Sequence, residues 1–485
     1  MRPPLIRSAV GLALVAAGPW FFLASDAVAR QGDQPRLPPG ETDAFINRQR
    51  FIEQQARQAL DREVPTADRF SLDVGGWWDA YIMMFDDGVN SSRTQRQTNL
   101  RVYGALSLDR GIHTGYVRMK MGWTDWNRGD SYTPNEDDFE GPNLERGWYE
   151  LDLRKAAQYY GNRELPFDLK FRIGRDFVQT GTGYGVALPL DHVALIGEWA
   201  KFETTFIAGK TPDSTENIDR SRPVADSSNR NFFILQERYK GFEKHEPFFY
   251  WAYQSDHTSE DPLDLLQNYQ YDSQYFGFGS TGEIVKNLRY STEWIIERGT
   301  SYGDRRFLHT DEIKAWAFDQ MLEYFIEHPT QPKLVFEYMF ASGDPDRLGS
   351  PTNAVGGNRR DHVDNSFVGF GYRDTGLALA PRLSNIHVWR AGGSFRPFPD
   401  IKEVKNLELG TDWFLFAKNR SRAAISDPLA DQQSGYVGWE MDYYANYRIT
   451  SDVSWTIRFG SFFPGDAFSD QTTRTFALTG VTWSF

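Results

Sequence analysis

Two pairs of acidic residues have the side chains that glycoside hydrolases use. Glu150 and Asp152 lie close together in the chain, and so do Glu408 and Asp412. Carboxyl pairs of this kind cleave glycosidic bonds when one acts as the acid and the other as the nucleophile or base. Such pairs arise easily by chance on the polar face of a strand, and none of the 8 histidines lies in a recognisable nucleophile motif. We therefore predict that the protein is not an enzyme.

Glycine-rich and acidic loops give weaker signals of ligand binding. The stretch GFGSTG at 277–282 matches a dinucleotide fingerprint, but it lacks the helix that such a site requires, and GTGYG at 181–185 is likewise a loop. Asp344 and Asp346 offer oxygen ligands suited to Ca²⁺, although a capped turn is the better interpretation without a full ligand set. The chain has no cysteine, which excludes disulfides and thiolate-bound metals. We predict no cofactor and no metal.

Basic side chains favour anion binding instead. In YVRMKMGW, Arg118 and Lys120 share the polar parity of an alternating segment, so both belong to one face of a strand. Rings of Lys and Arg in a constriction select anions. The net charge of −13 does not favour a polyanionic partner, but much of the acidic excess lies in loops such as NEDDFE and SEDPLD.

The elements that carry these residues have a period of two from Arg69 to the end of the chain. One face is apolar and the other polar in, for example, RFSLDVGGWWDAYIMMF, NLRVYGALSL, LRYSTEWIIE and VSWTIRFG. We count about 18 to 20 such segments of about 8–12 residues, separated by turn clusters. Glu293, Glu297, Glu408 and Asp412 share the polar parity with the basic residues, as do Tyr103, Trp148 and Tyr444. The aromatic ones are candidates for stacking on sugar rings, with packing as the alternative.

The direction of the apolar face decides the fold class. Strands of this length, with 36 Phe, 23 Tyr and 15 Trp, fit an outer-membrane barrel whose apolar face meets lipid better than a soluble sandwich. We predict an all-β, transmembrane antiparallel β-barrel of about 18 strands over residues 69–485. Its last strand, FALTGVTWSF, is expected to pair with the first strand near Phe70–Met84 and to turn its odd-numbered side chains to lipid. Closure of this kind leaves no unpaired edge.

The N-terminal sequence has the features of a secretory signal peptide. Arg2 and Arg7 precede the apolar run AVGLALVAAGPWFFLA, and AVA at 27–29 offers a cleavage site. We predict a signal peptide over 1–29 and a periplasmic linker with a short helix over 30–68. An uncleaved membrane helix is the alternative. The signal peptide and the barrel together predict a location in the outer membrane of a Gram-negative-type envelope.

Several stretches resemble the alginate-export family of outer-membrane proteins. They are FDLKFRIGRDFVQTGTGYGVALPLDHVAL, YMFASGDPD, RLSNIHVWRAGGSFRPFPD and VGWEMDYYANYRITSDVSWTIRFGSFFPGDAF, in this order along the chain. The resemblance implies an 18-stranded barrel, without cofactor, that passes an anionic exopolysaccharide of the alginate-like polyuronate class. It implies lumen roles for these matching positions: Arg101, Arg146, Arg175, Arg373, Arg458, Glu440 and Asp442. The sequence departs from the family at Gly147, where an acidic residue would follow the strand arginine.

Parity tests the positions that the resemblance implies. Arg101, Arg146 and Arg458 fall on the polar parity and are expected in the lumen with Arg118 and Lys120. Arg175 shares its parity with Phe171 and Ile173. It reaches the lumen only if it lies beyond the strand end or if a bulge at Gly174 redirects it. For each lumen arginine, a salt bridge across the lumen is an alternative to contact with the substrate.

Three functions remain open from the sequence. The first is passive export of the anionic polysaccharide, with a periplasmic export partner and assembly by the barrel-assembly machinery through Phe485. The second is a porin for diffusion of small anions or oligosaccharides. The third is a structural or adhesive barrel with a plugged lumen, in which the long loops at 209–230 and 341–365 act as plugs or gates. We expect contact with outer-membrane lipid and none with nucleic acid.

Overall fold

The computed structural model describes residues 70–88, 92–131, 137–212, 229–257, 271–301, 310–347, 358 and 362–485. The predicted signal peptide and linker lie outside the described residues, as do large parts of the two predicted gating loops. Among the residues described, no helix is long and apolar enough to cross a membrane.

The described residues form nineteen strands and one α-helix, α1 (Leu153–Gly161). The strands are β1 (Ser71–Asp86), β2 (Arg93–Leu108), β3 (His113–Trp126), β4 (Asp137–Asp152), β5 (Asp168–Gln179), β6 (Ala187–Trp199), β7 (Phe202–Lys210), β8 (Arg230–Tyr239), β9 (His245–Asp256), β10 (Asp272–Val285), β11 (Leu288–Ser301), β12 (Asp311–Phe325), β13 (Lys333–Ala341), β14 (Val363–Asp364), β15 (Ile386–Phe395), β16 (Leu407–Lys418), β17 (Tyr436–Arg448), β18 (Val453–Pro464) and β19 (Arg474–Ser484).

Within the described residues, eighteen of these strands close a single antiparallel barrel, which confirms the predicted fold. Each strand pairs with the next, except that β13 pairs with β15 and the two-residue β14 pairs in parallel with β12. The last strand pairs with the first, with Trp78 opposite Trp483. Gly76 and Phe485 exchange two backbone hydrogen bonds of 2.9 Å. The barrel therefore has no free edge where a soluble sheet would have one.

Alternation assigns the two faces of the wall. In β1, Trp78, Ile82 and Met84 are 37–48% exposed and point outward, whereas Tyr81 and Met83 are buried inside. In β19 the odd-numbered residues, such as Trp483, point outward as predicted. The outward face meets lipid, because apolar side chains form a continuous band only around a membrane-spanning barrel.

The two ends of the barrel differ in their connections. Those after β7, β9 and β13 are long, and those after β6, β8 and β10 are short turns. Outer-membrane barrels have short periplasmic turns and longer extracellular loops. The start of β1 and the end of β19 lie at the short-turn end, so both face the periplasm.

One long connection folds back into the barrel. Residues 365–385, here called the inserted segment, follow β14 and bury Phe367, Phe370 and Leu377 inside. These side chains pack against inward-facing apolar residues, such as Phe232 and Tyr275 on one side and Tyr81 and Phe476 on the other. Burial of this apolar surface stabilises the segment inside the barrel. The segment begins where the predicted gating loop 341–365 ends.

Candidate channel interior

Inward-facing carboxylates hold the inserted segment. They lie on β11–β13, β16 and β17, and we call them the anchoring wall: Glu293, Glu297, Asp319, Glu337, Asp412, Glu440 and Asp442. Glu440 accepts hydrogen bonds from the backbone N–H groups of Leu377 (2.5 Å), Ala378 (2.6 Å) and Leu379 (2.8 Å). Asp442 accepts another from Leu377 at 3.1 Å. A buried carboxylate satisfied by successive N–H groups fixes the backbone that supplies them.

The same wall binds the first half of the inserted segment. Glu297 accepts from the backbone N–H of Val368 at 3.0 Å, and the Tyr275 hydroxyl donates to the Val368 carbonyl at 2.6 Å. Glu293 is fully buried, and accepts from the Tyr250 hydroxyl at 2.6 Å and from the Thr182 N–H at 2.8 Å. Thr182 belongs to the connection between β5 and β6, so this wall holds two inward-folded connections.

Arg373 joins these two connections to each other and to the wall. Its Nε donates to Asp319 at 2.8 Å and its Nη1 donates to the Thr182 carbonyl at 3.2 Å. Its guanidinium lies 5.1 Å from the centre of the Tyr184 ring and is buried. Arg373 is thus inside the barrel as predicted, on the inserted segment and not on a strand.

A second basic residue of this region, Arg390 on β15, lies between three carboxylates. It contacts Asp412 at 2.8 Å, Glu337 at 3.3 Å, and Asp374 of the inserted segment at 3.1 Å. These ion pairs offset the free-energy cost of burying the charges of Arg390 and its carboxylate partners, which would be high for any unpaired charge.

Another part of the barrel carries most of the predicted basic residues. Inward-facing cations of β2–β5 form what we call the basic wall: Arg101, Arg118, Lys120, Arg146 and Arg172. The side chains of Arg146 and Arg172 are 24% and 26% exposed. Because they point into the barrel, this exposure is to space inside it.

Carboxylates pair with Arg101 and Arg118, the two buried arginines of the basic wall. Arg101 contacts Asp79 at 2.9 Å and Glu145 at 3.2 Å, and Arg118 contacts Glu145 at 2.6 Å. Glu145 and Arg146 are adjacent, and the register of β3 and β4 shifts beside them, which marks a β-bulge. The salt bridges that the sequence left as an alternative for Arg101 and Arg118 are therefore present.

Arg172 and Arg146 are also paired, but their side chains stay partly exposed. Arg172 contacts Glu150 at 2.6 Å and Asp176 at 3.0 Å, while Arg146 lies 3.6 Å from Asp176. Glu150 is thus an ion-pair partner, and Asp152 caps α1 by accepting from the Lys155 N–H at 2.9 Å. This arrangement differs from a glycosidase pair, in which both carboxyl groups face one bond.

Aromatic rings form a ladder across neighbouring strands beside the basic wall. Trp77, Tyr103, Tyr116 and Trp148 lie on β1 to β4 with ring-centre distances of 6.1, 5.9 and 5.9 Å. The Arg172 guanidinium lies 4.4 Å from the Trp148 ring. Tyr103 and Trp148 face the interior as the parity predicts. Flat aromatic faces of this kind are suited to stacking on other flat, apolar surfaces, such as the faces of sugar rings.

The structure places the other predicted lumen residues as follows. Arg458 on β18 points inward, is buried, and lies 5.7 Å from the Tyr444 ring. Glu440 and Asp442 also point inward, but the inserted segment covers them. Lys120 lies beside Arg101 in the basic wall.

Arg175 does not lie in the lumen, where the family resemblance predicted it. Its side chain points outward, where it contacts Asp191 at 2.7 Å and donates to the Leu144 carbonyl at 3.0 Å. The register of β5 and β6 runs without a shift from Asp168 to Gln179, so no bulge at Gly174 redirects Arg175. The parity of the sequence was the better guide, and the position implied by the resemblance was wrong.

Arg172 and Arg390 are among the interior cations that the sequence analysis did not predict. Arg172 shares its polar parity with Lys170, so the signal was present in FDLKFRIGRD. Arg390 shares its parity with Ile386 and Val388, which face inward because they pack below the inserted segment. Alternation alone assigns such apolar residues to the lipid face, and Arg390 with them.

The predicted loop features have structural roles. Asp344 accepts from the backbone N–H groups of Asp346 and Asn365 at 2.8 Å, which is the capped turn expected there. Residues 277–282 lie within β10, and residues 181–185 form the inward connection after β5. In the part of the chain that the structure describes, no three His, Cys, Asp or Glu side chains are grouped to hold a metal ion.

Sequence comparison agrees with this architecture. The profile of the family described as alginate export matches residues 94–481, which is most of the chain and nearly all of the barrel. The chain belongs to the alginate-export family. Membership in this family and the closed barrel identify an outer-membrane channel, and indicate a channel rather than an enzyme. No curated protein matches the sequence significantly.

Solved structures share the fold of this member of the alginate-export family. Pseudomonas aeruginosa OccK8 (OprE) has a TM-score of 0.54 at 10% identity, over 86% of this chain and 98% of that one. OccK2 (OpdF) of the same organism has a TM-score of 0.52 at 12% identity, over 85% and 98%. OpdK with vanillate, also from Pseudomonas aeruginosa, has a TM-score of 0.51 at 11% identity, over 85% and 98%.

Proposed function

We propose that this channel passes an anionic polysaccharide of the alginate-like polyuronate class along the basic wall. The observation that carries the proposal is the difference in exposure inside the barrel. Arg146 and Arg172 are about a quarter exposed, whereas the carboxylates Glu293, Glu297 and Glu440 are fully buried below the inserted segment. A passing chain therefore meets cations more than anions.

Two kinds of contact suit a polyuronate. Arg172 presents a planar guanidinium, which binds carboxylates in a bidentate way, and its neighbours Glu150 and Asp176 limit how tightly it does so. The aromatic ladder offers flat faces to the sugar rings. Conduction needs binding that is favourable enough for access and weak enough for release. Cations already paired with carboxylates meet both conditions.

Transport in this proposal is passive and needs no cofactor. A gradient, and a periplasmic export partner that delivers the polymer, supply direction. The inserted segment narrows the interior from the extracellular side. Phe485, paired with Gly76 at the seam, is the group that the barrel-assembly machinery would recognise.

Bilayer recordings test the proposal. We expect the purified barrel in a planar bilayer to be anion-selective by its reversal potential, and polyuronate added to one side to block its current. Arg172→Glu should weaken the block, because it reverses a charge of the basic wall that is about a quarter exposed. Arg175→Glu is the matched control, since that side chain lies on the outer surface. An open pore indifferent to polyuronate would contradict the proposal.

A diffusion channel for small organic anions is the second candidate, and the inserted segment favours it. A segment that fills part of the interior leaves less room for a polymer than for a single small carboxylate. Among the structures with the same fold, OpdK is described with vanillate, which is such an anion. Block by a monomeric uronate at the same concentration as the polymer, with no advantage of the polymer, would support this candidate.

A further inference from the structure

Two cations lie side by side on the outer surface of the barrel, away from the channel interior. Arg298 on β11 and Lys314 on β12 are paired in register, and both side chains are exposed. Both point outward, because Glu297 and Ala315 beside them are fully buried inside. Directly opposed residues of neighbouring strands have Cβ atoms about 4.5–5.5 Å apart, and like charges there repel.

The carboxylates near this pair do little to offset the repulsion. Arg298 has no ion pair among the described residues, and its Nη1 donates to the backbone carbonyls of Glu297 (2.7 Å) and Ala315 (3.4 Å). Lys314 contacts Glu312 at 2.8 Å, but the Glu312 side chain is 60% exposed. Ion pairs between exposed side chains are worth little.

Other outward cations of this surface are paired. Arg96 contacts Asp125 at 2.9 Å, and Arg175 contacts Asp191 at 2.7 Å. In each of these a carboxylate lies directly opposite the arginine on the neighbouring strand. Arg298 has a lysine at the corresponding place. This difference points to an anion from outside the chain.

The height of the pair identifies the source of the anion. Arg298 and Lys314 lie near the ends of their strands that join long connections, which is the extracellular side. Just below them, Trp294 and Trp316 lie 6.0 Å apart, and Trp316 lies 4.2 Å from Phe340. Trp belts of barrels lie at the membrane–water interface. The cations are therefore at the level of the lipid headgroups of the outer leaflet.

A third polar group completes the site. Gln274 on β10 is paired in register with Arg298 and points outward with it. Its Oε1 accepts a hydrogen bond from the Trp251 indole at 3.2 Å, which leaves its amide N–H groups as donors. We propose that Gln274, Arg298 and Lys314 bind the phosphate of a phosphorylated glycolipid in the outer leaflet.

Lipid binding tests this site independently of the channel. The detergent-solubilised barrel would be titrated by native mass spectrometry with bisphosphorylated lipid A, dephosphorylated lipid A, or inorganic phosphate. We expect bisphosphorylated lipid A to bind the wild-type protein at least about tenfold more tightly than the dephosphorylated lipid, because cations at the membrane surface attract anionic headgroups. Equal binding of the two lipids would overturn the proposal, and this comparison needs no variant.

Variants locate the binding to these residues. R298Q/K314Q should lose most of the preference for the phosphorylated lipid, whereas R96Q, an outward arginine with its own carboxylate, should retain it. An unchanged preference in R298Q/K314Q would assign the binding elsewhere and overturn the site. Inorganic phosphate that competes at the concentration of the lipid would overturn the lipid source. Heat-modifiable mobility on gels checks that each variant is folded.

Discussion

Glu440 in the anchoring wall and Glu145 in the basic wall are both inward-facing glutamates, but they bind different groups. Glu440 accepts hydrogen bonds from three successive backbone N–H groups of the inserted segment. Glu145 instead pairs with Arg101 and Arg118, which belong to the barrel strands themselves. One carboxylate holds a loop inside the channel, and the other holds the side chains of the wall in place.

This difference explains how an acidic protein can present a basic surface inside its barrel. The formal charge of −13 says little about the interior, because the carboxylates of the anchoring wall are covered by backbone amides and by Arg373 and Arg390. In the basic wall, Arg146 and Arg172 remain about a quarter exposed. The charges that a solute meets depend on which groups the protein has covered, and not on their total number.

Removal of the inserted segment should have the largest effect on the difference between the two walls. Replacing 367–379 by a short Gly-Ser linker should raise the single-channel conductance several-fold and expose the carboxylates of the anchoring wall. Selectivity should then shift toward cations, since acidic rings favour cations. Single-channel recording and reversal potentials measure both changes. An unchanged conductance would mean that the segment does not limit flow.

Glu440→Ala loosens the segment without removing it. Hydrogen bonds to charged groups contribute about 1.5–3 kcal/mol each, so loss of the acceptor should release the region around Leu377. We expect larger and less steady currents, with more rapid amide hydrogen exchange at 377–379. Glu408→Ala, on β16 with the same inward parity, is the control and should conduct as the wild type does.

Charge reversal in the basic wall should have a smaller effect, which is confined to ion selectivity. Arg146→Glu and Arg172→Glu should each lower the anion-to-cation permeability ratio by about twofold to fivefold, as expected for a charge in a wet, strongly screened interior. Reversal potentials under a salt gradient measure this ratio. Equal effects from both substitutions in 1 M salt and in dilute salt would argue against an electrostatic cause.

Arg175→Gln should have the smallest effect. Its ion pair with Asp191 lies on the outer surface and is partly exposed, so its loss should lower the free energy of unfolding by about 0.2–1 kcal/mol. Selectivity should remain that of the wild type. Urea unfolding followed by tryptophan fluorescence gives the stability. A clear shift in reversal potential would show that Arg175 reaches the lumen after all.

Strand periodicity in the sequence predicted the barrel and its closure. Alternation in β1 and β19 identified the lipid face, including Trp78 and Trp483, and the seam between these strands followed from it. It also separated Arg175 from Arg101 correctly. Local alternation records which face a residue occupies, because side chains of a strand point to opposite sides in turn.

The alternation of apolar and polar residues could not predict the inserted segment. Residues 365–385 have no period, and Phe367 and Leu377 are buried by contacts with strands that are distant in the chain. For the same reason, the family resemblance placed Glu440 inside the barrel but did not reveal that its partners are backbone amides. Alternation likewise gave no signal for Arg390, since the apolar residues that share its face pack against a loop.

The pairing of Gly76 with Phe485 has a consequence for the order of events during biogenesis. The two strands at the seam are separated by nearly the whole barrel sequence, so their contact is of the highest possible sequence separation and forms late. Until then, β1 and the growing sheet each carry an open row of N–H and C=O groups. An export intermediate stalled before its last strand is thus vulnerable to proteases and to pairing with its own kind. Pairing of β19 with β1 converts this open sheet into a closed barrel.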